Sequence, residues 1–227
     1  MIIKSYELNK LELNNYKFYL FYGDNEGSKE EIIKNIFEKN YLDKIYRYEE
    51  KEILDNINSF FNSVLTKSFF DNEKLIIINR ATDKIRTIIE DLMEKNHEDI
   101  QIILNSKNLE KKSTLRKLFE KEKSIVCAPF YEDNNQTLNL IISLFFRNKK
   151  IPISQQLINV LTERSRGDRK NLNNELEKIE NFLLNKKNLN IEEIIKLTNL
   201  ADNYSASELV DYSLAKNTRK TVTILNE

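Results

Sequence analysis

The residues of this chain whose spacing could do chemistry stand at Gly23 to Glu30, directly after the apolar run KFYLFY that begins at Lys17. A strand that runs into a glycine-bearing turn and then a helix is where backbone N–H groups and a helix N-terminus hold phosphate. The position is right and the chemistry is not. A working phosphate loop follows the pattern G-x-x-x-x-G-K-[ST], its lysine reaching the β and γ phosphates and its hydroxyl the magnesium ion. Here only Asp24, Asn25 and Glu26 separate Gly23 from Gly27, Ser28 precedes Lys29, and Glu30 stands where the hydroxyl belongs. Asp24 and Glu26 would set like charge against phosphate, and fit better as complements to the positive end of a helix. Gly23, Gly27 and Lys29 therefore read as a degenerate, non-binding loop.

A second place for nucleotide chemistry is the end of the apolar run KLIIIN, where an ATPase needs Asp for metal and Glu for water. Asn79 and Arg80 occupy it, and Asp83, a few residues on, reads as a helix-start residue. Cys127, on an apolar run, and His97, in a polar stretch, are single residues of their types and cannot form a Cys/His metal cluster or an internal disulfide. No metal, cofactor or intrinsic catalysis is expected.

The elements that must position these residues follow from the hydrophobic pattern. Short runs, mostly apolar on both faces, occur at Lys17 to Tyr22, Lys44 to Tyr48, Lys74 to Asn79, Ile100 to Asn105 and Ser124 to Ala128. Helical spacing separates them: Ile32, Ile33, Ile36 and Phe37; then Ile53, Leu54, Ile57, Phe60, Phe61 and Val64; then Ile85, Ile88, Ile89 and Leu92. This alternation predicts an α/β fold with five parallel strands and helices on both faces. After Pro129 the strand pattern stops. Helices are expected at about Gln136 to Phe146, Ser154 to Arg164 and Asp168 to Leu184, with further starts at Asn190 and Ser205. The expected organisation is residues 1–133 as an α/β domain with the degenerate loop, 134–204 as a small helical domain, and 205–227 as the start of a further helical domain.

Lys plus Arg equals Asp plus Glu at 36 each, so the whole chain exerts no strong pull on nucleic acid or anionic membrane, and nucleic-acid contact has to be local. The local candidate runs from Arg147 to Lys170: Arg147, Lys149, Lys150, Arg164, Arg166, Arg169 and Lys170 stand against Glu163 and Asp168 alone, a set able to meet DNA phosphates. The charged N-terminal stretch has no signal-peptide core and no apolar run is long enough to span a membrane, which places the protein in the cytoplasm.

Three stretches resemble one family, the delta subunits of bacterial DNA polymerase III, which are similar to AAA+ ATPases but lack ATPase activity. FYLFYGDNEG, from Phe18, is similar to that family's opening strand and its Gly-Asp/Glu-x-x turn. SFFDNEKLIIIN, from Ser68, is similar to its Ser-Leu-Phe, polar link and apolar strand, with Phe69 in place of the common Leu. GDRKNLNNELEKIENF, from Gly167, is similar to its Gly-Asp, Leu, Asn-Glu-Leu-Glu-Lys-Leu run. The last also has its own physics: Gly167 can close a helix, Asp168 can cap the next, and Leu172, Leu176, Ile179 and Leu183 make a stripe. Glu175, Glu177 and Lys178 read as a solvated or interdomain face.

The resemblance implies an AAA+-like sheet domain, a helical lid and a collar. It implies a protein that binds and opens the ring-shaped sliding clamp (the beta subunit) for loading onto primed DNA, with tau/gamma and delta-prime subunits as partners and Ser68, Phe69 and Phe70 at the clamp contact. The stretch from Ser207 resembles the beginning of the collar, and the sequence departs from the family in carrying only that much, a truncated collar start; this form is expected not to assemble stably without a longer C-terminus. An active phosphate-loop NTPase is disfavoured by the loop. Delta-prime and tau-type subunits are disfavoured by the single cysteine and the missing phosphate loop, and a general DNA-binding module by the neutral charge.

Overall fold

The computed structural model describes residues 1–41, 44–65, 73–95, 99–165, 167–184, 191–198 and 206–225. The chain divides into two units, Met1–Asp133 and Asn134–Glu227.

The first unit is built on β1 (Phe18–Tyr22), β2 (Ile45–Glu49), β3 (Lys74–Asn79), β4 (Ile100–Ser106) and β5 (Val126–Pro129), hydrogen-bonded in the order β2-β3-β4-β1-β5. Every pairing is parallel. Side chains alternate across a strand, so a run that is apolar throughout must be covered on both faces. One face buries Leu20, Ile76, Ile78, Ile102, Leu104 and Cys127. The other buries Tyr19, Phe21, Leu75, Ile77, Ile103 and Val126. Tyr19 and Phe21 meet Phe37 edge-on, with ring centroids 4.8 and 5.7 Å apart.

Of the helices, α1 (Glu26–Ile32) runs on into a π-helical turn, Ile33–Phe37, that buries both Ile33 and Phe37. The single stripe expected from Ile53 to Val64 is two helices, α2 (Glu50–Asp55) and α3 (Ile57–Leu65). Asn56 breaks it with φ −147°, and its Oδ1 accepts from Ser59 N at 3.1 Å. A polar side chain that competes for backbone N–H groups favours a cap over a helix interior, and Ile57 is left partly exposed as a result. After β3 and β4 come α4 (Arg86–Glu94) and α5 (Thr114–Lys121).

Asp83 does start a helical turn, Asp83–Ile85, yet its carboxylate serves another helix. It accepts from Ser113 Oγ at 2.6 Å and Leu115 N at 2.9 Å, at the N-terminus of α5. Partial burial pushes this carboxyl up, and the hydrogen bonds from Ser113, Leu115 and Thr114 outweigh it, so the group sits below its ordinary value. A depressed folded value contributes stability above the unfolded value and loses it as pH falls through the folded one. Only the charge is lost in Asp83→Asn, and at this exposed position that is expected to cost about 0.5 kcal/mol at neutral pH and nothing in strong acid. Urea unfolding at the two pH values checks this; an equal cost at both would contradict it.

The second unit is helical: α6 (Asn135–Asn148), α7 (Gln155–Ser165), α8 (Arg169–Leu183), α9 (Ile191–Leu197), α10 (Ala206–Leu214) and α11 (Thr218–Leu225). Its core joins Leu138, Ile142 and Phe146 of α6 to Leu157 and Leu161 of α7, and to Leu172, Leu176 and Ile179 of α8. Gly167 takes φ +79°, and Asp168 Oδ1 accepts from Lys170 N at 2.6 Å, so the Gly-Asp pair turns the chain and caps α8. Of the solvated or interdomain face expected for Glu175, Glu177 and Lys178, Glu175 is not solvated. It is buried at 1% exposure, with Oε1 2.6 Å from Lys178 Nζ.

Candidate functional site

At the C-terminal end of β1 the turn closes upon itself. Gly23 has φ +125°, and a Cβ there would lie 2.1 Å from the carbonyl oxygen of Phe130, so only glycine lets the end of β5 approach so closely. Phe130 N donates to Tyr22 O at 2.8 Å and Asn25 N to Phe130 O at 3.4 Å, while Gly23 N donates to Lys107 O at 3.3 Å. Asn25 caps α1. Its Oδ1 accepts from Ser28 N at 3.0 Å, and its Nδ2 donates to Tyr131 O and Asp133 Oδ2, each at 2.9 Å. Glu26 N donates to Asp24 O and Lys29 N to Asn25 O. The N–H groups of Gly23, Asn25, Glu26, Ser28 and Lys29, which a phosphate loop would aim at its ligand, are spent on the chain's own acceptors.

Lys29 is spent as well. It is 0% exposed, with Nζ 2.8 Å from Glu26 Oε1 and 2.6 Å from the carbonyl oxygen of Ser106 at the end of β4. Burial pulls its ammonium below the ordinary lysine value, and Glu26 opposes that pull. A buried ammonium persists when a carboxylate and a carbonyl satisfy it. Lys29 thus ties α1 to β4 as a structural cation. Sequence reasoning missed this, although Glu26 three residues before Lys29 is a spacing that pairs on a helix.

At the exit of β3, Arg80 takes φ +56° and its Nε lies 3.4 Å from Glu49 Oε2. The nearby Glu50 carboxylate accepts from Thr82 N at 2.7 Å and from Thr82 Oγ1 at 2.9 and 3.0 Å. These carboxylates bind neighbouring turns together. Among the described residues no group of three or more His, Cys, Asp or Glu could hold a metal ion. Cys127 is buried, and desolvation pushes its thiol up to about 12. His97 lies outside the described residues, as do Ser68, Phe69, Phe70 and Arg166.

The basic residues of the second unit fall into two groups. Arg147, Lys149 and Lys150 lie at the end of α6, before α7, and Arg164, Arg169 and Lys170 lie at the junction of α7 and α8. The rise of α7 sets the groups about 16 Å apart. Lys149 pairs with Glu180, and Arg164 Nη1 donates to Thr198 Oγ1 at 2.5 Å. Arg169 and Lys170 also have partners within the chain.

A parallel sheet in this strand order, with a helical unit after it, is an AAA+-like α/β fold, and solved structures share it. The Bacillus subtilis DNA clamp loader delta protein YqeN superposes with a TM-score of 0.57 at 14% identity, covering 97% of this chain and 69% of that one. An alanine-to-serine mutant of Thermotoga maritima RuvB superposes at 0.50 and 12% identity, covering 79% and 60%. The model of one family, DNA polymerase III, delta subunit, matches residues 19–129, from within β1 to the end of β5. No curated protein sequence matches the chain. Among the described residues no helix is long and apolar enough to cross a membrane.

Proposed function

We propose that this chain is a clamp-loader delta subunit that binds and opens a sliding clamp for loading onto primed DNA, without hydrolysing ATP itself. The observation that carries the reading is the closed turn after β1, found within a segment that matches the delta-subunit family: its backbone donors and Lys29 are engaged by Asn25, Glu26, Ser106 and Phe130. A domain with an ATPase's sheet and a filled phosphate cradle is suited to moving with ATP-driven neighbours, and to using its surface on a partner.

In this reading the partners are the sliding clamp (beta subunit), the tau/gamma and delta-prime subunits and primed DNA, in the cytoplasm. Ser68, Phe69 and Phe70 make the clamp contact, on the link between α3 and β3. Residues 1–133 form the sheet domain, 134–204 the lid and 205–227 the collar start. The two basic groups flanking α7 offer DNA phosphates two separate points of contact.

Calorimetric titration of the purified chain with magnesium ATP tests the non-hydrolytic half of this reading. No binding at micromolar concentration and no phosphate release are expected; micromolar affinity would overturn it.

A further inference from the structure

A cavity of about 320 Å³ lies between α1 with its π-helical turn and the C-terminal halves of β2, β3 and β4. This is within the usual range for small-ligand sites, roughly 300–1,000 Å³. Ile33 of the π-helical turn and Ile77 of β3 line it together with Asn79 and Asn105, which are in register across β3 and β4. The cations lining it are Lys34 and Arg47 and the anions Glu30 and Glu38, with Arg47 bound to Glu38. The lining charges balance, so the cavity has no bias toward an anion such as a nucleotide.

The asparagine pair is poorly satisfied. Asn105 Nδ2 reaches Asn79 Oδ1 only at 3.4 Å, and Asn105 Oδ1 is buried with no donor. A buried acceptor without a partner is costly, and the terminal torsion of an asparagine is soft. Turning that torsion would bring the carboxamide to face the cavity at the expense of one long hydrogen bond. A carboxamide offers one acceptor beside one donor, and the adjacent N–H and C=O of a cyclic amide complement it with two bonds, as the adjacent donor and acceptor of adenine do when Asn or Gln reads that base.

From these features we propose that the cavity binds a small, uncharged heterocycle with a lactam edge, held by Asn105 beside the apolar lining of Ile33 and Ile77. The site is separate from the clamp-loader reading and stands or falls without it.

Uracil is the probe, followed by ligand-observed NMR and calorimetry on the full chain, with 1,3-dimethyluracil, which has no N–H, as the control. Uracil is expected to bind at millimolar concentration. 1,3-Dimethyluracil should bind about tenfold more weakly or not at all, and Asn105→Leu and Asn105→Asp should each cost about tenfold in uracil affinity. Asn105→Leu should melt no lower than the parent, because it removes the unpaired acceptor. Absence of uracil binding would overturn the proposal, as would equal binding of 1,3-dimethyluracil or affinity retained in both variants. A lowered melting temperature in Asn105→Leu would make Asn105 a structural residue and overturn it equally.

Discussion

Truncating Phe69 and Phe70 together to alanine is expected to weaken binding of the cognate sliding clamp by a factor of hundreds or more while the fold survives. Apolar anchors that fill a partner's pocket typically cost about 2–4 kcal/mol each when truncated, and each 1.4 kcal/mol is about tenfold in affinity. If the two rings belonged to the core, each truncation would instead remove about 3–5 kcal/mol, much of a domain's total stability. The outcomes separate cleanly because one is read in the complex and the other in the free chain. Thermal melts and clamp binding on the single and double variants decide between them: a collapsed melting temperature, or unchanged affinity in a folded variant, would place the clamp contact elsewhere.

Gly23→Ala should be the most damaging single substitution at the turn after β1. Its Cβ would lie 2.1 Å from Phe130 O in a backbone conformation of φ +125°. Moving Phe130 away would stretch the Phe130 N to Tyr22 O and Asn25 N to Phe130 O bonds, which join β1, β5 and α1. Strain of this kind plus the lost bonds should cost about 4 kcal/mol or more, enough to leave little folded protein. Gly167 is the internal control. It too has positive φ, at +79°, but nothing lies within 4 Å of the added methyl, so Gly167→Ala should cost only about 1 kcal/mol. Urea unfolding compares the two; similar costs would mean that close approach of Phe130 is not what requires glycine at position 23.

Much of the architecture was legible because parallel strands covered on both faces leave a plain mark. Runs such as Leu75 to Ile78, apolar without alternation, have no other economical place in a domain with helices between them. The break at Asn56 was masked by the apolar spacing on either side, because hydrophobic period is indifferent to a cap that reseats the next helix. The segment before β1 gave no period at all, since its turns are 3-10 and its buried residues, Ile3 and Leu8, are anchored by the sheet face rather than by each other.

At the turn after β1, the spacing of Gly23, Gly27 and Lys29 showed a departure from the phosphate-loop pattern and nothing of what holds the turn closed. That Lys29 would be wholly buried depended on the carbonyl of Ser106, which sequence places 77 residues away. The basic run from Arg147 to Lys170 reads as one patch along the chain, but α7 stands between its halves, and proximity in sequence across a helix becomes separation in space. The cavity lined by Asn79 and Asn105 is a product of strand register, which no local pattern reports.

Binding of the cognate sliding clamp to this chain, measured with and without magnesium ATP, tests the central claim most directly. A clamp loader subunit with a filled phosphate cradle should bind the clamp with the same affinity in both conditions. No binding in either, or binding that appears only with ATP, would contradict it.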